Sequence, residues 1–162
     1  MNPTNNAKLD FLRHTIATIA YRGGKVLREP PAGFSTLRIA STSRTPGEIL
    51  AHICDLFDWA AHLCEGKHVW KDSQPQEWKE DVDRFFRVLA RVDERLASGR
   101  ELGCPAEGLF QGPFADALTH IGQIALLRRV AGGAVRGENY FRADIRTGQV
   151  GPGQSLPRVE FD

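Results

Sequence analysis

The chain is short of cysteine and has no charge excess. Three cysteines, Cys54, Cys64 and Cys104, leave an odd thiol over, and none belongs to a Cys-x-x-Cys pair. That excludes a disulfide scaffold and argues against a structural zinc site, so buried, reduced thiols are expected. A net charge of +1 gives no bulk attraction to nucleic acid or to an anionic membrane. No apolar run approaches the roughly 18 residues of a membrane span. The stretch Met1 to Asp10 is polar and lacks a signal-peptide core, so a cytoplasmic location is expected.

What is present fits a soluble single domain. With 162 residues, 41% of them hydrophobic and 25% charged, the chain can bury one sizeable core, about 70% of its unfolded surface. The periodicity predicts four helices, at residues 4–28, 45–65, 76–98 and 113–131, followed by an irregular tail over 133–162. In the first, Leu9, Leu12, Ile16 and Ile19 step by three and four and share a face, while Gly23 and Gly24 weaken its last turns. A long connection opening with Pro30-Pro31 carries Phe34, Leu37 and Ile39, which should pack on the helices.

The second helix has the clearest start. Thr45-Pro46-Gly47-Glu48 reads as a capping box, with Pro46 at the first helical position and Gly66 as the stop. In the third, Val82, Phe85, Phe86, Leu89, Val92 and Leu96 form the core face, and Asp81, Arg84, Arg91 and Arg95 are expected on the wet side. The fourth begins at Pro113 and ends at Gly132-Gly133, with Arg128 and Arg129 suiting its negative pole. One helical turn is expected around Tyr140 and Phe141. The whole is an all-α four-helix bundle, and bundles build metal and cofactor sites between facing helices.

Three polar residues stand out against the apolar faces. His52 lies at the edge of the stripe formed by Ile49, Ile53 and Leu56. Asp116 and His120 are one turn apart and project from one face of the fourth helix, with Gln123 on the same ridge. Two imidazoles and a carboxylate from two helices can hold one divalent metal and leave positions open for water or substrate. The plainer alternative is an intrahelical Asp116–His120 pair and a core histidine at position 52. His14 lies off the main stripe, His68 falls in a loop, and His62 is about 1000° of helical rotation from His52.

The segment Glu48-Ile-Leu-Ala-His52, followed by Leu56 and Trp59, resembles the second helix of the DinB/YfiT-like superfamily. Asp116-Ala-Leu-Thr-His120-Ile-Gly-Gln123 resembles its signature in the last bundle helix, where His-x-x-x-His is usual. The resemblance implies an up-down-down-up bundle with a long crossover between helices 2 and 3. It also implies one divalent metal, with His52 and His120 as ligands. At the third ligand position this chain has Asp116 in place of histidine, which makes the site harder and suits Fe or Mn as well as Zn or Ni.

Members of that family include S-transferases using bacillithiol, mycothiol or glutathione, and a mycothiol-dependent isomerase. A small-molecule substrate or low-molecular-weight thiol is thus the expected partner, activated as thiolate. A hydrolase on the same site, or a non-catalytic ligand-binding or scaffold member that has lost metal, are the alternatives; in the last, Trp59, Trp70 and Trp78 would be interface or pocket aromatics. Gln123 could orient a ligand. Asp55 could be an outer acceptor or, more simply, a solvated helix charge. Arg128, Arg136 or Arg142 could hold carboxylates of a thiol cofactor. A homodimer is the default expectation for oligomeric state.

Overall fold

The capping box forms as the sequence requires. Thr45 Oγ1 accepts from the Glu48 N–H (3.2 Å), and the Glu48 carboxylate accepts from the Thr45 N–H (2.6 Å). The computed structural model describes the chain from Pro3 to Asp162, with side chains from Asn6 onward. It is mostly helical, with α1 at Pro3–Leu27, α2 at Pro46–Cys64 and α3 at Trp78–Ala97. The fourth helical rod is composite: α4 at Ala106–Leu109, a π-helical turn at Phe110–Phe114, and α5 at Ala115–Val130.

This rod starts earlier than Pro113, where the proline rule puts the boundary. Proline inside an α-helix normally costs a hydrogen bond and clashes with the preceding turn. Here the Ala115 N–H reaches back to the Phe110 carbonyl. The wider π turn thus absorbs Pro113 without ending the helix. It also sets the rotational phase of everything after it, Asp116 and His120 included.

The core lies between the four rods. Ile16, Ile19, Leu50, Ile53, Phe85, Leu89 and Ile124 are all fully buried, and α2 and α1 each touch both α3 and α5. Contacts between α2 and α3 rise together in sequence, from Cys54–Asp81 through Asp58–Arg91 to Glu65–Arg95. Contacts between α2 and the last rod run oppositely, His52 facing Asp116 while Phe57 stacks on Phe114 at 5.3 Å. Between α1 and α3, Arg13 meets Asp93 and Gly23 meets Phe85, again in opposite order. From α1 to the last rod, Lys8–Glu107 and Gly23–Ile121 rise together. Gly23, expected only to weaken α1, is needed for packing: a Cβ there would sit 2.5 Å from the Phe85 ring.

Two expectations about α3 are corrected. It starts at Trp78, because the Gln76 N–H is bound by the Asp81 carboxylate (2.8 Å) and Trp78 Nε1 donates to the Leu27 carbonyl (3.1 Å). Asp81 is therefore buried rather than on the wet side. Burial raises its pKa, and its Oδ1 has no partner. Arg84 is also drawn in, bridging Asp55 (2.5 Å) and Asp58 (2.7 Å).

The connection after α1 packs through Phe34, which is buried edge-on to Trp78, while Ile39 stays exposed. The turn at Tyr140–Arg142 is present, but the tail is more ordered than expected. It returns to pair Gly137–Glu138 with Glu160–Phe161 as a two-stranded antiparallel ribbon, β1 and β2. Glu138 is buried beneath α1, where Tyr21 Oη (2.7 Å) and Lys25 Nζ (2.9 Å) donate to it. Cys54 and Cys64 are buried free thiols and Cys104 is half-buried. Burial pushes Cys64 up to about 11. Among the described residues, no helix is long and apolar enough to cross a membrane.

Candidate metal centre

His52 emerges from α2 two turns after the capping box, on the side facing α5. The buried Ile49, Ile53 and Leu56 fix the rotation of α2 that aims it there. Asp116 and His120 come from the first turns of α5, just past the π turn. The stacked Phe57–Phe114 pair, 15° between planes, ties the two helices together at that level.

The three residues converge. Asp116 Oδ2 lies 3.6 Å from His52 Nε2, and Asp116 Oδ1 lies 3.4 Å from His120 Nε2. One ligand atom from each lies within 4.8 Å of the others. The two rings meet edge-on, with centroids 4.8 Å apart. The carboxylate–imidazole separations exceed good hydrogen-bond lengths. The two distances run to different oxygens of Asp116, and a tetrahedral ion with bonds of about 2.1 Å puts neighbouring donors about 3.4 Å apart, so a small inward shift of the side chains brings one donor from each residue onto one ion. Two imidazole nitrogens and a carboxylate oxygen are donors of the type that hold a divalent metal.

The outer contacts suit the same purpose. His120 Nδ1 is 2.9 Å from Gln123 Oε1. With Nδ1–H donating to that oxygen, the lone pair of His120 is on Nε2 and faces Asp116 and His52. Gln123 thus lies in hydrogen-bonding contact with His120. The Trp70 ring stands edge-on to His52 at 5.6 Å and is itself braced by Trp59 at 5.9 Å. Burial first, then the charges of His120 and Arg44, hold the His52 imidazole below its ordinary pKa, while Asp116 pulls the other way. A neutral imidazole is the form that ligates metal. The Asp116 side chain is 46% exposed against 18% and 13% for His52 and His120. The cluster is therefore open on the carboxylate side.

Three grooves meet here. One of about 460 Å³ is bordered by Trp59 and Asp116, and Trp59 Nε1 is buried without a hydrogen-bond partner. One of about 380 Å³ runs past His120 and Gln123, and a polar one of about 300 Å³ runs past His52.

Other sequence candidates are placed elsewhere. Asp55 is 1% exposed, not solvated. Its oxygens accept from the Ser73 N–H and hydroxyl (both 2.7 Å) and from Arg84. It anchors the 65–77 connection, with both oxygens engaged in hydrogen bonds. Arg128 is buried and donates to the carbonyls of Val26, Arg28, Glu29 and Gly133. It closes the end of α1 and is not available to a cofactor. Arg136 pairs with Glu160 and Asp162 on the ribbon, and Arg142 sits on the turn after β1. His14 bonds Thr147, His68 packs on Trp59, and neither joins the cluster. Two features escaped the sequence reading: the approach of Trp70 to His52, and Arg44, whose only signal was its place beside the capping box.

Among the described residues, the structure defines a class: an all-helical fold, apart from its small ribbon, carrying an open two-histidine, one-aspartate cluster between two helices. No protein-family model matches the chain, and no curated protein or solved structure does either.

Proposed function

We propose that this chain is a DinB/YfiT-like, up-down-down-up four-helix-bundle protein. It binds one divalent metal through His52, Asp116 and His120 and acts on a small molecule, foremost a low-molecular-weight thiol, as a transferase. The observation that carries the reading is the convergence of three donor atoms from two helices to within 4.8 Å of one another. The order of contacts between the rods supports the bundle topology: α1 and the last rod run one way, α2 and α3 the other.

Zn, Ni, Fe and Mn all suit two imidazoles and a carboxylate, with Fe and Mn favoured by the oxygen donor. When bound, such a metal supplies a Lewis acid that favours thiolate near neutral pH. The residues do the rest. Gln123 fixes the His120 tautomer, Trp70 and Trp59 shield the His52 side, and the exposed edge of Asp116 leaves an approach for the ligand.

Elemental analysis of untagged protein, beside His120→Ala, tests this. Near-stoichiometric metal in the first and none in a folded variant is expected. Equal metal content in the two would remove the site assignment. Metal in the wild type without any response to thiols would move the reading to hydrolysis on the same residues.

A further inference from the structure

Arg44 differs in one respect from the arginines bonded along α2 and α3. Arg38 is held by Glu48 and by the Ser43 carbonyl. Arg84, Arg91 and Arg95 are all bound to carboxylates. Arg44 is exposed, and among the described residues it has no hydrogen bond or ion pair. Yet its backbone is fixed. On one side Ser43 is locked in a turn, its N–H and hydroxyl both donating to the Ala40 carbonyl (3.0 and 2.9 Å). On the other, Thr45 is the capping residue of α2. A long cation on a rigid stem is thus held next to the cluster, close enough for its charge to act on His52.

Arg44 borders two of the three grooves. The polar one also contains Asp72 and Glu48, which oppose an anion. The other contains no acid. It is bordered by Ile39, Ile49, Leu126 and Leu127, and His120 and Gln123 also line it. Ile39 and Leu126 are more than half exposed, so this apolar surface is open to a ligand. A ligand lying there meets an apolar wall, one cation, Arg44, and one candidate metal ligand, His120.

Resting on the metal-site reading above, we propose that this groove is a substrate subsite for a small carboxylic acid with a short apolar body. Its carboxylate pairs with Arg44, and its other end is presented at His120. Guanidinium and carboxylate match in charge and in forked geometry. The apolar wall contributes by area and tolerates variation in the body.

The test uses cobalt-loaded full-length protein and a matched pair of probes, 3-mercaptopropionate and its methyl ester, which differ in the carboxylate charge. Affinity is read from the visible spectrum of the bound cobalt. The acid is expected to bind about tenfold more tightly than the ester, the worth of one charge-assisted contact. Arg44→Ala should reduce that preference to near parity while leaving the ester's affinity unchanged, and Arg44→Lys should keep part of it. Because Arg44 is exposed and makes no hydrogen bond or ion pair among the described residues, both variants should fold and load cobalt. An undiminished preference in Arg44→Ala overturns the assignment, as does wild type that binds both probes equally. Wild type that takes up no cobalt rejects the metal site itself, before either probe is added. If cobalt binds but neither thiol does, the thiol reading fails, and the comparison of succinate with its monomethyl ester decides Arg44 by the same criterion.

Discussion

Two aspartates on neighbouring helices show how differently this fold uses a carboxylate. Asp55 is 1% exposed and its oxygens are taken by Ser73 and Arg84 at hydrogen-bonding distance. Asp116 has nearly half its side chain in solvent and two imidazole nitrogens beside it, at 3.4 and 3.6 Å, neither closely bonded. Burial opposes the Arg84 charge, but its bonds to Asp55 and Asp58 outweigh that, and its pKa is raised. A carboxylate bonded through both oxygens is a fastening; one surrounded by donor atoms left short of contact has room for an ion.

The contrast can be broken from either side. The largest effect on stability is expected from Arg84→Ala, which strands the buried Asp55 and should cost about 3–5 kcal/mol. Urea unfolding measures it, and a loss below 1 kcal/mol on the same scale would mean Asp55 is not held by that pair. Asp116→Ala should do the reverse. Its stability should stay within about 0.5 kcal/mol of wild type, while bound metal disappears from the elemental analysis. Retained metal would show that the carboxylate is a bystander.

Gln123→Ala should keep the fold and lower metal affinity by about 10–100-fold, because His120 loses the partner that sets its tautomer. Competition with a chelator of known affinity reads this directly, and an unchanged constant would leave Gln123 without a role. Asp116→His should retain metal and shift its preference toward Zn or Ni; complete loss would mean that the carboxylate does something an imidazole cannot.

The smallest effect concerns pH. The His52 pKa is lowered in the folded chain, below an unfolded value of about 6.5. Between those two values the unfolded state binds the extra proton, so stability rises with pH across that window and is lost as pH falls through it. Metal-free protein should therefore unfold at lower urea near pH 5 than near pH 7.5, and His52→Gln should lessen that difference. An identical slope in the variant would assign the pH response to other groups.

Much of the site was legible because its signals are local. The capping box starts α2 at a defined residue, and the spacing of Ile49, Ile53 and Leu56 then fixes where His52 points. The one-turn separation puts Asp116 and His120 on one face wherever the helix lies. The roles of Arg128 and Asp55 were not legible, because each depends on what another segment brings, and that of Asp81 depends on how the chain just before α3 turns back. Arg128 reads as a terminal helix charge until the end of α1 arrives beside it. Asp81 reads as a surface residue until the Gln76 N–H folds onto it.

The sequence by itself determined that the chain is mostly helical, where α1 and α2 lie, and which residue types are able to ligate, since these follow from backbone propensity and periodicity within a few turns. Only the tertiary structure decided which polar groups meet. It carried the last rod through Pro113 by a π turn and aimed His120 at His52. It buried Asp55 against Arg84 and left Arg44 without a partner at the rim of a groove. Those outcomes turn on distances of a few ångströms between segments far apart in the chain, and packing of the whole core sets them.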